Sequence, residues 1–231
     1  MISLESYIGT PTLELIIADC KSRKTFAKAS ERNEEWIGLF FGLHGGSYAY
    51  SRGVLRRVSR DLPPGNFLDL GSGAGTIVIE MASESWNSYG IDFCHNCYEL
   101  GNENIKLVEK EKYIKKKSAK IAHGNFFPKE FVLSRTDKKE DSFREDIETH
   151  LHTCQNKNPY QKLHLKIKEI DLFYHYQVER KDNILRLFAQ QAKPEARLFF
   201  VKSFDDAYTL PPNIEKESEL DSTFFLYRKR E

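Results

Sequence analysis

Asn66-Phe67-Leu68-Asp69-Leu70-Gly71-Ser72-Gly73-Ala74-Gly75 decides how the rest of the chain reads. Residues 66–70 are a short apolar run closed by Gly71, and residues 76–82 continue as a buried helix, so the order is strand, glycine turn, helix. Glycines at such a turn let the backbone reverse tightly. They also let a ligand approach the main chain beside the unsatisfied N–H groups of a helix start. A purely structural turn uses the same residues, so the residues downstream must separate a binding loop from a plain one. Residues 89–92 form a second short strand ending on Asp92, 23 residues after Asp69. A doubly wound fold places a carboxylate there to accept the hydroxyls of a ligand ribose; the plain alternative is a helix cap.

Beyond Asp92, residues 97–117 read as a long amphipathic helix with Tyr98, Ile105, Val108 and Ile114 on its apolar side, and residues 120–127 as a third strand. The unit is β-α-β-α-β, which predicts an α/β fold with a doubly wound, mostly parallel sheet. Within it, Gly124-Asn125-Phe126-Phe127 offers an amide and an aromatic ring suited to the edge and face of adenine, and equally suited to a turn followed by core aromatics. Residues 128–165 are polar and read as an insertion or long connection. Patterning returns with a strand at 170–174, a helix at 179–191, a turn at Pro194-Glu195-Ala196 and strands at 197–203 and 223–228, with 213–220 as a hairpin partner. Upstream, residues 21–36 read as a charged helix and 42–50 as a glycine-broken loop. Residues 51–62 carry Val54, Leu55, Val58 and Leu62 at helical spacing until Pro63-Pro64-Gly65 stops them. The expected organisation is an N-terminal helical extension over 1–46 and one α/β domain over 47–231.

Of the 231 residues, 40% are hydrophobic and 30% charged, with 16 Phe, 11 Tyr and 2 Trp, which supplies a core and excludes global disorder. The net charge of +1 provides no whole-molecule field toward nucleic acid or anionic lipid, so such binding requires a local patch. One candidate is residues 106–120, with seven lysines against two glutamates; a solvated helix face is the plain alternative. No run reaches the roughly 18 apolar residues of a membrane span and no export signal is apparent, so the expectation is a soluble, cytoplasmic protein without a membrane partner. Four cysteines are too few for a disulfide scaffold. Cys94-x-x-Cys97 with His95 lacks a second cysteine pair at zinc spacing, as do His150 and His152 with Cys154, so no metal is expected.

Two nucleotide cofactors compete for this architecture. The dinucleotide fingerprint wants Gly or Ala three residues after its second glycine; here Thr76 stands there and the third glycine falls one earlier, at Gly75. The resulting acid-x-Gly-x-Gly-x-Gly resembles the first motif of the class I, seven-strand, Rossmann-like S-adenosylmethionine-dependent methyltransferases. The resemblance covers roughly residues 47–228 and implies S-adenosyl-L-methionine as cofactor. It places Asp69, Gly71, Ser72, Gly73 and Gly75 on the methionyl side, Asp92 at the ribose, and Asn125 and Phe126 near adenine.

A finer resemblance, carried by residues 48–57, Phe67-Leu68-Asp69-Leu70-Gly71-Ser72-Gly73, the basic helix after Asp92, Gly124-Asn125-Phe126-Phe127 and residues 187–204, is to the seven-strand protein-lysine methyltransferases. It implies a protein nitrogen as acceptor. The loop after the fourth strand, Phe173-Tyr174-His175-Tyr176-Gln177, departs from the asparagine-bearing sequence of the histone enzymes. It also lacks the Asn/Asp-Pro-Pro-Tyr pattern of amino-directed nucleic-acid methylases. A small molecule or RNA as acceptor, and a non-catalytic scaffold of the same fold, stay open. Methyl transfer needs alignment and an unprotonated nucleophile, which makes Tyr174 and His175 the catalytic candidates, although strand alternation keeps neighbouring residues from all facing one site.

Overall fold

The computed structural model describes residues 45–93, 95–131, 158–176, 181–201, 210–219 and 224–231. The chain divides into two compact units, Met1–Leu62 and Pro63–Glu231, at the proline pair that stops helix propagation. In the first unit, helix α1 spans Gly45–Arg60. It begins earlier than the apolar spacing indicates: residues 45–50 are helical, not loop, and Gly45 and Gly46 occupy its N-terminal end, where glycine is best tolerated.

The second unit is a seven-stranded sheet flanked by helices. Its elements are β1 (Asn66–Leu70), α2 (Thr76–Ser83), β2 (Asn87–Asp92), α3 (His95–Lys110), β3 (Ala119–His123), α4 (Pro159–Leu163), β4 (Leu172–Tyr176), α5 (Lys181–Gln191), β5 (Arg197–Val201), β6 (Ile214–Glu219) and β7 (Phe224–Lys229). The spatial order is β3-β2-β1-β4-β5-β7-β6. The first five strands pair in parallel, and β7 runs antiparallel between β5 and β6. Parallel strands covered on both faces read as continuous apolar runs, which is why Phe-Leu-Asp-Leu in β1 and Leu-Phe-Phe-Val in β5 are buried at every position. One face carries Leu68, Leu70, Phe173, Leu198 and Phe200 against Ile184, Leu185 and Phe188 of α5. On the other, Tyr174, Phe199 and Phe224 stack in sequence with ring centroids 5.8 and 5.9 Å apart. Strand order reverses between β1 and β4, which makes their carboxyl ends the topological switch point where open α/β sheets bind ligands.

Among the boundaries that differ from the sequence expectation, three have a local physical cause. Helix α3 stops at Lys110 and not near 117, because Lys112 takes a left-handed φ of 59° and Tyr113 N–H turns back to Val108 O at 2.9 Å, closing the helix as glycine commonly does. Strand β3 ends at His123, and residues 124–127 form a loop. Strand β4 lies two residues later than 170–174, since Ile167–Glu169 form a short 3-10 turn and Ile170 is buried without pairing as strand. Inside the polar stretch 128–165, α4 is helical, with Asn158 Oδ1 capping Gln161 N–H at 3.1 Å. The expected helix at 21–36, the loop at 42–44 and residues 132–157, 177–180, 202–209 and 220–223 lie outside the described residues. Among those described, no helix is long and apolar enough to cross a membrane.

Candidate cofactor and methyl-transfer site

The loop 71–75 is fixed by backbone bonds to β2 before any side chain contributes. Gly71 N–H and Ser72 N–H both donate to Ile91 O, at 2.9 and 3.1 Å, and Gly75 N–H donates to Ser72 O at 2.8 Å. All three glycines have positive φ, 99° at Gly71, 51° at Gly73 and 78° at Gly75, a region that costs residues with a Cβ about 1–2 kcal/mol. Their surroundings differ. A Cβ on Gly71 or Gly73 would meet nothing within 4 Å, so both border open space, whereas one on Gly75 would lie 2.6 Å from Ile121 Cδ1. Gly75 therefore serves packing of the α2 start against β3, and the open cradle is formed by Gly71 and Gly73. Ser72 turns its side chain inward: its hydroxyl is buried without a hydrogen-bonding partner, against the position where Gly90 has no Cβ.

Two carboxylates frame the cradle. Asp92 Oδ2 accepts Gly73 N–H at 2.7 Å, which ties the end of β2 to the loop. Asp69 is buried with its Oδ1 lacking any hydrogen-bonding partner. Burial, and secondarily the charge of Asp92, pushes the Asp69 carboxyl well above the usual carboxylate range. A buried carboxyl oxygen without a partner is costly and uncommon in native interiors.

The expected adenine loop follows β3. Asn125 Oδ1 accepts Phe127 N–H at 2.9 Å, an Asx-type turn that leaves its NH₂ as the remaining donor group. The Phe126 ring lies 6.0 Å from the His175 ring, edge to face. His175 Nδ1 sits 2.8 Å from Leu70 O, and since a carbonyl only accepts, Nδ1 carries a proton. The carboxyl end of β1, the glycine loop, Asp92, Phe126 and His175 are thus brought together. Tyr174 is not placed with them: it is buried in the Phe199 stack on the opposite face of β4 from His175.

Four residues of this assembly escaped the sequence reading. Gly101 of α3 packs where a Cβ would lie 3.4 Å from Gly73 O and 2.7 Å from Ile121 Cδ1. Asn104, also on α3, donates through Nδ2 to Ala74 O at 3.0 Å. His123, paired in register with Asp92, donates through Nε2 to Phe93 O at 2.9 Å. Tyr160 of α4 donates its buried hydroxyl to Phe126 O at 2.6 Å. The helical spacing of Gly101 and Asn104, one turn apart, is the one signal that could have found any of them. Cys97 is buried and Cys94 lies outside the described residues. Among the described residues, no group of three or more His, Cys, Asp or Glu is arranged to hold a metal.

No family model matches the chain, and no curated protein matches it. Solved structures do. The candidate methyltransferase yhhF of Escherichia coli superposes with a TM-score of 0.52 at 13% identity, over 78% of this chain and 84% of that one. A candidate methylase of Haemophilus influenzae gives 0.51 at 12% identity, over 79% and 89%. A mutant of MtNAS in complex with S-adenosylmethionine gives 0.52 at 12% identity, over 96% and 79%. At these identities the likeness is one of fold: the chain has the seven-strand, Rossmann-like α/β fold of S-adenosylmethionine-dependent methyltransferases.

Proposed function

We propose that this chain transfers a methyl group from S-adenosyl-L-methionine to a nitrogen of a protein substrate, with a lysine amine as the acceptor. The observation that carries the reading is the open cradle at Gly71 and Gly73, flanked by the partnerless buried Asp69 oxygen and by Asp92 at the loop. These groups fit a ligand with a ribose diol and a cationic amino-acid portion. When bound, the cofactor supplies an electrophilic methyl carbon on a sulfonium.

Asp92, held at the loop by Gly73 N–H, is the carboxylate that receives the ribose hydroxyls. Asp69 offers its partnerless buried carboxyl oxygen beneath the loop to the cationic end of the ligand, whose charge favours ionisation of that carboxyl on binding. Asn125 and Phe126 offer a donor group and a ring to the base. His175, anchored to Leu70 O through Nδ1 at the end of the fourth strand, takes the proton that the amine must shed to become a nucleophile once acceptor binding uncovers its buried ring. Tyr174 supports β4 from the opposite face through its stack on Phe199. The protein acceptor rests on the finer motif resemblance.

Calorimetric titration with S-adenosylmethionine, and with NAD in parallel, tests the donor. Binding of the sulfonium compound alone, weakened about 10–100-fold by Asp92→Ala as expected for losing charged hydrogen bonds worth about 1.5–3 kcal/mol, supports the reading. Binding of NAD alone, or of neither by folded protein, rejects it. Transfer of labelled methyl to a protein fraction, and not to RNA or small molecules, tests the acceptor.

A further inference from the structure

The turn between α3 and β3 concentrates positive charge in a way that the methyl-transfer reading does not use. Lys106, Lys110, Lys112, Lys115, Lys116, Lys117 and Lys120 are all exposed. The chain as a whole carries only +1, so this window of seven lysines and two glutamates sits on a body that is otherwise net acidic. Of the two acids, Glu109 is engaged with the backbone, accepting Lys117 N–H at Oε1 over 2.6 Å, and Glu111 is exposed.

Two of the lysines occupy backbone positions that ordinarily select glycine or asparagine. Lys112 (φ 59°) closes helix α3, and Lys117 (φ 68°) is the left-handed residue of the turn in which Ser118 N–H returns to Lys115 O at 3.1 Å. The chain thus carries side-chain charge at two sites where a glycine would relieve strain. Aromatic rings interleave with the cations. Tyr113 is half-buried between Lys112 and Lys115, and Tyr89 is half-buried with Lys120 Nζ 5.9 Å from its ring centroid.

We infer that this turn is a docking surface for a single-stranded nucleic acid, with Lys115, Lys116 and Lys117 on successive phosphates and the exposed part of Tyr113 as a stacking face for a base. Clustered lysines alone fit any polyanion; the interleaved rings favour unstacked bases over an acidic polypeptide. The surface lies at the amino end of β3, the opposite end from His123 and Asp92, about 17 Å away along the five-residue strand. It holds a strand without touching the methyl-transfer groups, and it stands whichever acceptor is used.

The experiment is fluorescence anisotropy on the full chain with labelled 20-nucleotide oligouridylate and oligothymidylate, a 20-base-pair RNA duplex and polyglutamate, across a KCl series. The expected result is single-strand binding at about 1–10 µM in 50 mM KCl, with affinity falling steeply as salt rises. Lys115→Gln/Lys116→Gln/Lys117→Gln weakens it at least tenfold and flattens the log–log salt slope by about 2, three contacts at roughly 0.7 each. Tyr113→Ala weakens single-strand binding and leaves the duplex unaffected. A Lys112→Gly/Lys117→Gly variant, tested by thermal unfolding as well, becomes more stable while binding nucleic acid less tightly. The proposal is overturned by absence of single-strand binding, by duplex or polyglutamate binding as tightly, or by a glycine variant that gains stability with binding intact. S-adenosylmethionine titration of each variant, expected to be unchanged, keeps the outcome separate from the cofactor reading.

Discussion

Asp69 enters the fold with a carboxyl oxygen that nothing satisfies, and burial and Asp92 together hold the group protonated above its unfolded value of 3.8. The folded chain therefore binds more protons than the unfolded chain between that value and the raised one, and stability falls as pH rises through this window. Asp69→Asn removes the fall: in urea unfolding from pH 4 to pH 8 the variant should show a flatter profile. Near neutrality it should be the more stable protein, because no carboxylate charge has to be buried. The same variant should lose cofactor affinity at least tenfold, because the carboxyl that would ionise against a cationic ligand group is gone. The glycines separate in the opposite sense. Gly73→Ala adds a Cβ in open space and costs about 1–2 kcal/mol of backbone strain, so its main effect should be on titration with the cofactor. Gly75→Ala adds a collision with Ile121 Cδ1 at 2.6 Å, and denaturant unfolding should show about 2–4 kcal/mol of destabilisation. Sequence spacing shows all three glycines alike because positive φ demands glycine whether the missing Cβ faces a ligand or a neighbour. Only the environment distinguishes them.

Among the elements, the strands around the motif were legible because each is a short apolar run bounded by turn residues; β1 matches residue for residue. Helix α3 was not, since its charged pattern continues past Lys110 and the left-handed turn at Lys112 lacks the glycine that usually marks one. Helix α4 was hidden in a polar stretch, and its importance comes from one residue, Tyr160, whose hydroxyl reaches Phe126 O across 34 positions of sequence. Such a partner is a product of tertiary packing and has no local signature. Tyr160→Phe should cost about 0.5–1.5 kcal/mol in thermal unfolding and, on the proposed cofactor reading, should weaken binding, because the Phe126 carbonyl loses its donor and the 124–127 loop is released. Asn104→Ala should act on the other wall. Removing the 3.0 Å bond from Nδ2 to Ala74 O leaves that carbonyl without this donor, and an effect of about 1–2 kcal/mol with a parallel loss of affinity is expected from calorimetry and titration together. An intact affinity in both variants would show that α3 and α4 support the sheet without setting the loop.

The whole sheet connects these effects. The loops that form the site leave the carboxyl ends of β1, β2, β3 and β4, four strands that are adjacent in space and scattered in sequence, so the site exists only when the order β3-β2-β1-β4 is complete. Ligand binding must then be linked to the stability of the Pro63–Glu231 unit as a body, and not to one loop. A compound that binds only the folded state at 100 times its dissociation constant adds about 2.7 kcal/mol. For a unit of this size each kcal/mol moves the unfolding midpoint about 2–4 °C, so S-adenosylmethionine should raise it by about 5–10 °C. Asp92→Ala, at 10–100-fold lower affinity, should unfold cooperatively with a reduced shift of about 1–6 °C at the same concentration, and NAD should produce none in either protein. A shift of equal size in wild type and Asp92→Ala would place the compound elsewhere on the chain. A wild-type shift far below the value required by its measured affinity would show that the site survives in a partly unfolded sheet, contrary to the dependence on four strands.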